Sequence, residues 1–253
     1  MINSISAFSI LGYDTMTSIV LVLSFSIFPL LIFSFYTSIK VNTTYQKYSK
    51  EESKRKINAY TAARMILDRE GLTNVEIKEC RGVLTDHYDP RSNTVYLSQS
   101  TISSTSIAAI GVAAHEVGHA IQYARNYLPV KLRTAIIPVV NFTSKLLFPF
   151  MILNIILSIM FPFSSTSNIF IMVMIVTYGA SMLFSLATLP CELNASSRAK
   201  KILVQAGVLD QDEVRVVGKV LSAAAMTYVA SFIMTFVQFL RLLLIYLANR
   251  RNN

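Results

Sequence analysis

The chain has 253 residues, of which 53% are hydrophobic and only 15% are charged, and its mean hydropathy is +0.50. About one quarter of the residues of a soluble domain are charged, so this composition excludes an ordinary soluble protein and indicates an integral membrane protein. The net charge of +9 is confined to particular segments. That distribution argues against a nucleic-acid-binding surface.

The first predicted element is an uncharged segment over residues 17–36, which is long enough to cross a bilayer. Residues 1–39 contain no Lys or Arg, and no small-x-small cleavage site follows the apolar run. A cleavable signal peptide normally has a basic N-terminal region and such a cleavage site. We therefore expect residues 1–39 to form an uncleaved transmembrane anchor.

Residues 40–138 are expected to form a cytosolic segment of mixed secondary structure. An amphipathic helix is predicted over Ser49–Gly71, with Gly71 as its stop signal. The alternation in residues 75–84 indicates a strand or a bent pair of strands. The apolar residues at helical spacing in the first of these elements are Ala59, Ala62, Ala63, Ile66 and Leu67.

A turn, a strand and a helix are predicted next. The sequence TDHYDPRSN (residues 85–93) is typical of a turn, and residues 94–98 form a short strand. This strand either lines a cleft as an edge strand that pairs with extended peptide, or simply packs in a sheet. Ser103 or Ser104 is expected to cap the helix that follows, which runs through Ile107 to about Asn126.

A transmembrane hairpin is predicted over residues 139–190. Its two spans, residues 146–163 and 169–189, are uncharged and are joined by a polar connector at 164–168.

The C-terminal part of the chain is predicted to begin with a cytosolic helical segment over residues 191–225. Gly207 breaks this segment before a second short helix. Residues 226–253 are predicted to form an apolar helix and a basic tail. The apolar part, residues 226–247, contains Gln238 and Arg241, so it either crosses the membrane, is re-entrant or lies in the interface.

The positive charges predict the orientation in the membrane. Residues 40–145 hold fifteen of the 23 Lys and Arg residues, residues 191–225 hold five, and the connector 164–168 holds none. Because positive charge collects on the cytoplasmic side, we expect a multi-pass protein of the cytoplasmic membrane whose basic face meets anionic lipid. The predicted fold is mainly α, with three to four transmembrane helices and a small α+β segment at the cytoplasmic membrane face.

The two cysteines, Cys80 and Cys191, both fall in segments assigned to the cytoplasm. They are expected to be free thiols rather than a disulfide, because the cytoplasm is reducing. For Cys191 we expect the role of a small buried apolar residue.

The sequence AAHEVGHAIQYA (residues 113–124) places His115 and His119 four residues apart with Glu116 between them. On a helix both imidazoles face the same side and can bind one Zn²⁺ ion, while Glu116 can act as a general base towards a zinc-bound water. The alternative is a buried helix whose histidines are merely packed. The surrounding alanines and glycines keep this helix narrow and leave room for other elements near a metal.

A third zinc ligand must come from another part of the chain. Glu192 follows Pro190, at the predicted start of a helix. The two spans between His119 and Glu192 place both residues on the same side of the membrane. The alternative is a carboxylate that only stabilises a helix N-terminus through the helix dipole.

Four blocks of sequence together resemble the family of membrane neutral zinc metallopeptidases (YugP-like) over nearly the whole chain. The resemblance implies that His115, His119 and Glu192 bind zinc and that Glu116 is catalytic. Ser196 occupies the place where more distant zincins carry an Asp that orients a metal-bound His, so a hydroxyl is expected to do that work. The blocks are LTDHYDPRSNTVYLS (84–98), VAAHEVGHAIQYA (112–124), TLPCELNASSRAKKIL (188–203) and VLSAAAMTYVA (220–230).

His87 is the remaining histidine. It could stabilise the oxyanion or contact substrate, or it could belong to a turn that hydrogen-bonds its own backbone; as a fourth metal ligand it would close the water site. Tyr88, Tyr96 and Arg198 are further candidates for this neighbourhood. Strand packing is the alternative for Tyr96, and a salt bridge or a lipid-facing charge is the alternative for Arg198.

The leading hypothesis is a membrane-embedded zinc endopeptidase that acts on unfolded, misassembled or membrane-tethered chains as a membrane-protein quality-control enzyme. The expected partners are the lipid bilayer and a peptide or membrane-protein substrate, with no nucleic acid. The alternative is a catalytically silent membrane adaptor with a structural zinc site. A transporter is disfavoured because the spans contain almost no ionisable residues.

Overall fold

The computed structural model describes residues 15–160 and 167–251. Most of these residues are helical, and three short strands form one sheet. In chain order the elements are α1 (Thr15–Tyr48), α2 (Ala59–Arg69), β1 (Glu76–Cys80), β2 (His87–Asp89), β3 (Thr94–Ser98), α3 (Gln99–Ile102), α4 (Ile107–Ala124), α5 (Leu128–Met160), α6 (Ser167–Gln205) and α7 (Gln211–Arg251).

The chain divides into two compact units. The first draws on Met1–Phe35, Leu132–Ala187 and Val229–Asn253, as far as these ranges are described, and the second on Tyr36–Lys131 and Thr188–Tyr228. Helices α1, α5, α6 and α7 contribute residues to both units. Every residue predicted to belong to the site lies in the second unit.

Three of the described helices are long and apolar enough to cross a membrane: Ser18–Tyr48, Phe170–Gln205 and Gln211–Ala248. Large apolar side chains on the first of them are exposed, including Phe25 and Phe28 at 69% and 70%. Apolar surface of this kind suits a lipid environment. The prediction of a mainly α membrane protein with a small α+β segment is confirmed.

The predicted hairpin is helical on both sides of its connector. Helix α5 contains the span predicted at 146–163 as far as Met160, whereas residues 161–166 lie outside the described residues. Helix α6 begins at Ser167 and contains the span predicted at 169–189.

Gly207 follows α6 with a left-handed backbone (φ 65°), as its predicted role as a break requires. The next helix is not short, however, because α7 continues through residues 226–247 without interruption. The re-entrant alternative for this segment is therefore wrong, since it requires the chain to reverse. Nε of Arg241 donates to Oγ of Ser24 at 2.8 Å, which gives the charged side chain a polar partner.

Helix α6 runs through Pro190, so Glu192 lies inside a helix and not at its start. The predicted helix start is wrong, and the helix-dipole explanation of Glu192 is wrong with it. Proline removes a single backbone donor, and long apolar helices tolerate that loss. Both cysteines are free of disulfides, and Cys191 is fully buried as predicted.

The sheet has the order β1-β3-β2, with β1 parallel and β2 antiparallel to β3. The central position of β3 excludes the edge-strand alternative and agrees with the alternative of simple packing in a sheet. Residues 87–89, predicted as part of a turn, form β2 because they pair with residues 94–96. The turn itself is shorter: Asp89 accepts from the backbone of Arg91 and from Oγ of Ser92.

Two predicted helix starts are too early. Helix α2 begins at Ala59 rather than Ser49, because Asn58 caps it by accepting from the backbone of Thr61 at 2.8 Å. Helix α4 is capped by Ser106, not by Ser103 or Ser104. The five apolar residues predicted for the buried face of α2 are all buried in the core of the second unit.

Candidate metal centre

Two helices bring together the His–Glu cluster, which consists of His115, His119 and Glu192. On α4 the two imidazole centroids lie 4.8 Å apart. Oε2 of Glu192, on α6, lies 3.2 Å from Nε2 of His115 and 3.4 Å from Nε2 of His119. The ligand atoms all lie within 4.8 Å of one another, and the carboxylate side chain is only 4% exposed.

Gly118 allows α4 and α6 to approach closely. A Cβ atom at this position would lie 2.9 Å from the backbone oxygen of Ala195. Backbone cannot swing aside as a long side chain can, so any larger residue at 118 would force the two helices apart. The small residues of α4 therefore leave the room that was predicted, and the close approach of α6 places Glu192 beside the histidines.

The orientation of His119 is fixed through Gln122. The amide nitrogen of Gln122 donates to the carbonyl of Cys191 at 2.7 Å and to Oδ1 of Asn194 at 3.1 Å. Its Oε1 therefore faces Nδ1 of His119, 3.0 Å away. Since an amide oxygen only accepts hydrogen bonds, Nδ1 carries the proton and Nε2 of the neutral ring presents a lone pair.

That lone pair points at another acceptor. A neutral His119 and an ionised Glu192 would place two lone pairs 3.4 Å apart in a largely buried site. A cation between them, either a second ring proton or a metal ion, removes the repulsion. Two imidazole nitrogens and one carboxylate oxygen are also a ligand set that zinc accepts in catalytic sites. The residues of the cluster therefore fit a zinc ion.

Ser196 contacts His115, the first histidine of the cluster. Its Oγ is 3.2 Å from Nδ1 of His115, on the side of the ring opposite Glu192. Each histidine of the cluster thus has a polar partner at its remaining nitrogen, which is the usual arrangement around a zinc site.

Glu116 lies beside the cluster but is not one of its members. Its Oε2 accepts a hydrogen bond of 3.1 Å from the backbone N–H of Tyr88 on β2. Burial raises the pKa of Glu116, although the charges of His115 and His119 oppose this shift. A buried carboxyl with a raised pKa is suited to accepting and returning a proton.

His87 lies on β2 outside the His–Glu cluster. Its ring stacks on Tyr96 with centroids 4.9 Å apart, and its Nδ1 lies 2.8 Å from the carbonyl of Thr85. The structure therefore brings His87 together with Tyr96 but not with the His–Glu cluster. A contact with substrate or oxyanion stays a prediction.

Asp86, next to His87, was not predicted as a site residue. It accepts from the backbone and the hydroxyl of Ser98 and from the hydroxyl of Thr101, at 2.8, 3.1 and 3.3 Å. Gln122 was missed as well, although its position three residues after His119 on one helix was a usable signal. Arg198 lies in the predicted neighbourhood, since its Nε donates at 2.7 Å to Oδ1 of Asn194, the oxygen that also accepts from Gln122.

His115 and Glu192 line a cavity of about 190 Å³ within the second unit. Glu116 and Asp86 supply further carboxylates to its wall, and most other lining side chains are apolar. Several of these come from the end of α1 and from α7: Val41, Tyr45, Val220, Leu221, Ala224, Ala225 and Tyr228.

Comparison with known proteins shows the family to which the chain belongs. Residues 23–247 match the model of a family described as "Putative neutral zinc metallopeptidase". A protein of Bacillus subtilis (strain 168) named "Putative membrane protease YugP" is 43% identical over 220 residues, which cover 87% of this chain and 94% of that protein. No solved structure shows a significant match. The chain therefore belongs to the neutral zinc metallopeptidase family.

Proposed function

We propose that the protein is a membrane-embedded zinc endopeptidase in which His115, His119 and Glu192 hold the metal. The observation that carries this proposal is the convergence of two Nε2 atoms on one carboxylate oxygen, with Nδ1 of His119 fixed as a donor. A bound zinc ion would lower the pKa of its water and polarise the scissile carbonyl.

Glu116 is proposed as the general base. It faces the cavity, and the N–H of Tyr88 holds one of its oxygens at 3.1 Å. The carboxylate takes a proton from the attacking water and delivers it to the leaving amine nitrogen, which restores the carboxylate for the next cycle.

Ser196 and Gln122 are proposed as positioning residues. Ser196 contacts Nδ1 of His115, and Gln122 contacts Nδ1 of His119. Each contact holds its ring so that Nε2 points towards Glu192. Such partners also set the tautomer and the basicity of a metal-binding imidazole.

The cavity suggests the kind of substrate. Its wall beyond the cluster is mainly apolar, and its volume of about 190 Å³ suits one apolar side chain. We propose that the enzyme cleaves unfolded, misassembled or membrane-tethered chains beside an apolar residue. The concentration of Lys and Arg in residues 40–145 supports an active site facing the cytoplasm.

The test compares the wild type with Glu116→Gln, purified identically in detergent, for bound zinc and for cleavage of an unfolded protein such as casein. We expect zinc to be retained and cleavage to fall by about 10²–10⁴-fold, because the variant keeps the ligands but loses the base. Glu79→Gln, at an exposed position on β1, controls for the charge change and for contaminating proteases.

Equal cleavage by the wild type and Glu116→Gln would contradict the proposal. Stoichiometric zinc without cleavage by the wild type would instead favour the silent adaptor. The present geometry argues against that alternative, because a structural zinc site does not need a buried carboxylate facing an open cavity.

A further inference from the structure

A second concave surface of the second unit, here called the basic groove, encloses about 530 Å³. Its residues lie on α1 and α7, and on each helix they follow the spacing i, i+3, i+4, i+7. This spacing places them on one face of each helix. The lining residues are Lys40, Thr43, Thr44, Lys47 and Tyr48 on α1 and Lys219, Ser222, Ala223 and Met226 on α7.

The charge of the groove is positive and uncompensated. Nζ of Lys47 and Nζ of Lys219 converge on the ring of Tyr48, at 5.2 and 5.7 Å from its centroid. Lys40 lies at the other end of the α1 face. No carboxylate lines the groove, and none of the three lysines makes an ion pair with a described residue. Like charges gathered in this way favour the binding of an anion.

The two helices place these residues next to their apolar stretches. Lys40 lies four residues after Tyr36, the end of the uncharged stretch of α1, which is about 6 Å along the helix axis. Lys219 lies seven residues before Met226, the start of the apolar stretch of α7, which is about 10 Å. The headgroup region adds about 5–8 Å to each side of a bilayer core. By the same measure Lys47 lies about 16 Å past Tyr36, so the groove begins at the headgroup level at Lys40 and Met226 and extends beyond it.

We propose that the basic groove binds the headgroup phosphate of one anionic phospholipid. The ammonium groups of Lys40, Lys47 and Lys219 supply the positive charge, and the hydroxyls of Thr44 and Ser222 can donate to phosphate oxygens. Met226 lies at the apolar end, where the acyl chains begin. A lipid is the anion source because this position is in contact with headgroups, and an anionic lipid is required because a zwitterionic one carries its own cation.

The test measures lipid affinity by native mass spectrometry of the full chain released from detergent. Phosphatidylglycerol and phosphatidylcholine with identical acyl chains are titrated separately. We expect one tightly bound phosphatidylglycerol in the wild type. Because each lysine near an anionic surface contributes about fivefold, the Lys40→Gln/Lys47→Gln/Lys219→Gln variant should bind about a hundredfold more weakly. The same three positions changed to Arg should keep the affinity.

A matched control removes the same charge from exposed positions outside the groove, through Arg69→Gln/Arg91→Gln/Lys201→Gln. We expect this control to bind phosphatidylglycerol like the wild type. Three results would overturn the proposal: equal binding of phosphatidylcholine, an equal loss in the control, or undiminished binding in the groove variant. Soluble glycerol 3-phosphate that bound as tightly as the lipid would overturn it too, by identifying a site for a free phosphate compound.

Discussion

The cavity and the basic groove are both lined by the same parts of α1 and α7. They differ in whether their charged side chains have partners within the protein. On the cavity side, Glu116, Glu192 and Asp86 all have partners within the protein. On the groove side, Lys47 and Lys219 share only an aromatic ring. A buried charge must be compensated by partners within the protein because desolvation is costly. An exposed charge is stabilised by water until a ligand binds.

The largest effect is expected when the carboxylate of Glu192 is removed from the cavity side. In Glu192→Gln one of three ligand atoms becomes a neutral amide, which binds zinc poorly. We expect the zinc affinity to fall more than about a hundredfold, since even the partners behind the ligands contribute 10–100-fold. Competition with a chromophoric chelator measures the affinity. Unchanged zinc binding would exclude Glu192 as a ligand.

A smaller effect is expected when a residue that hydrogen-bonds a metal ligand is removed. Gln122→Met keeps the volume but removes the contact with His119 and leaves the carbonyl of Cys191 without that donor. We expect about 10–100-fold weaker zinc binding, together with about 1–3 kcal/mol less stability of the metal-free protein. Chelator competition and urea unfolding by circular dichroism measure the two effects. If Gln122→Met matched the wild type in both, the orientation argument for His119 would be wrong.

The smallest effect is expected on the groove side. Lys47→Gln/Lys219→Gln removes two charges that have no carboxylate partner in the described protein, so the free energy of unfolding in detergent should change by less than about 0.5 kcal/mol. The same unfolding assay serves for this variant. A loss as large as that of Gln122→Met would show that the lysines are structural, and the contrast between the two sides would disappear.

Much of the site could be predicted from local spacing. His115 and His119 lie four residues apart on one helix, so their shared face follows from helix geometry alone, and Glu116 directly follows the first of them. The pairing of Glu192 with His119 was expected from the two uncharged spans predicted between them, a topology that stays a prediction. The bonding of Nδ1 of His115 to Ser196 is compatible with the role implied by the family resemblance.

The parts that could not be predicted depend on contacts between distant segments. The path of α6 through Pro190 is one example, since a proline ends most helices in water but not in a long apolar helix. The central position of β3 is another, because it depends on residues 87–89 pairing across a turn. Asp86 was missed because its partners Ser98 and Thr101 lie more than ten residues away.

The most direct test of the metal centre is zinc K-edge X-ray absorption on the purified full chain. The structure predicts a ligand shell of two imidazole nitrogens and oxygen, with no sulfur, because His115, His119 and Glu192 supply the protein ligands. Loss of one imidazole in His119→Ala should be visible in the same spectrum. A sulfur ligand from Cys80 or Cys191, or a zinc spectrum unchanged in His119→Ala, would contradict the proposed centre.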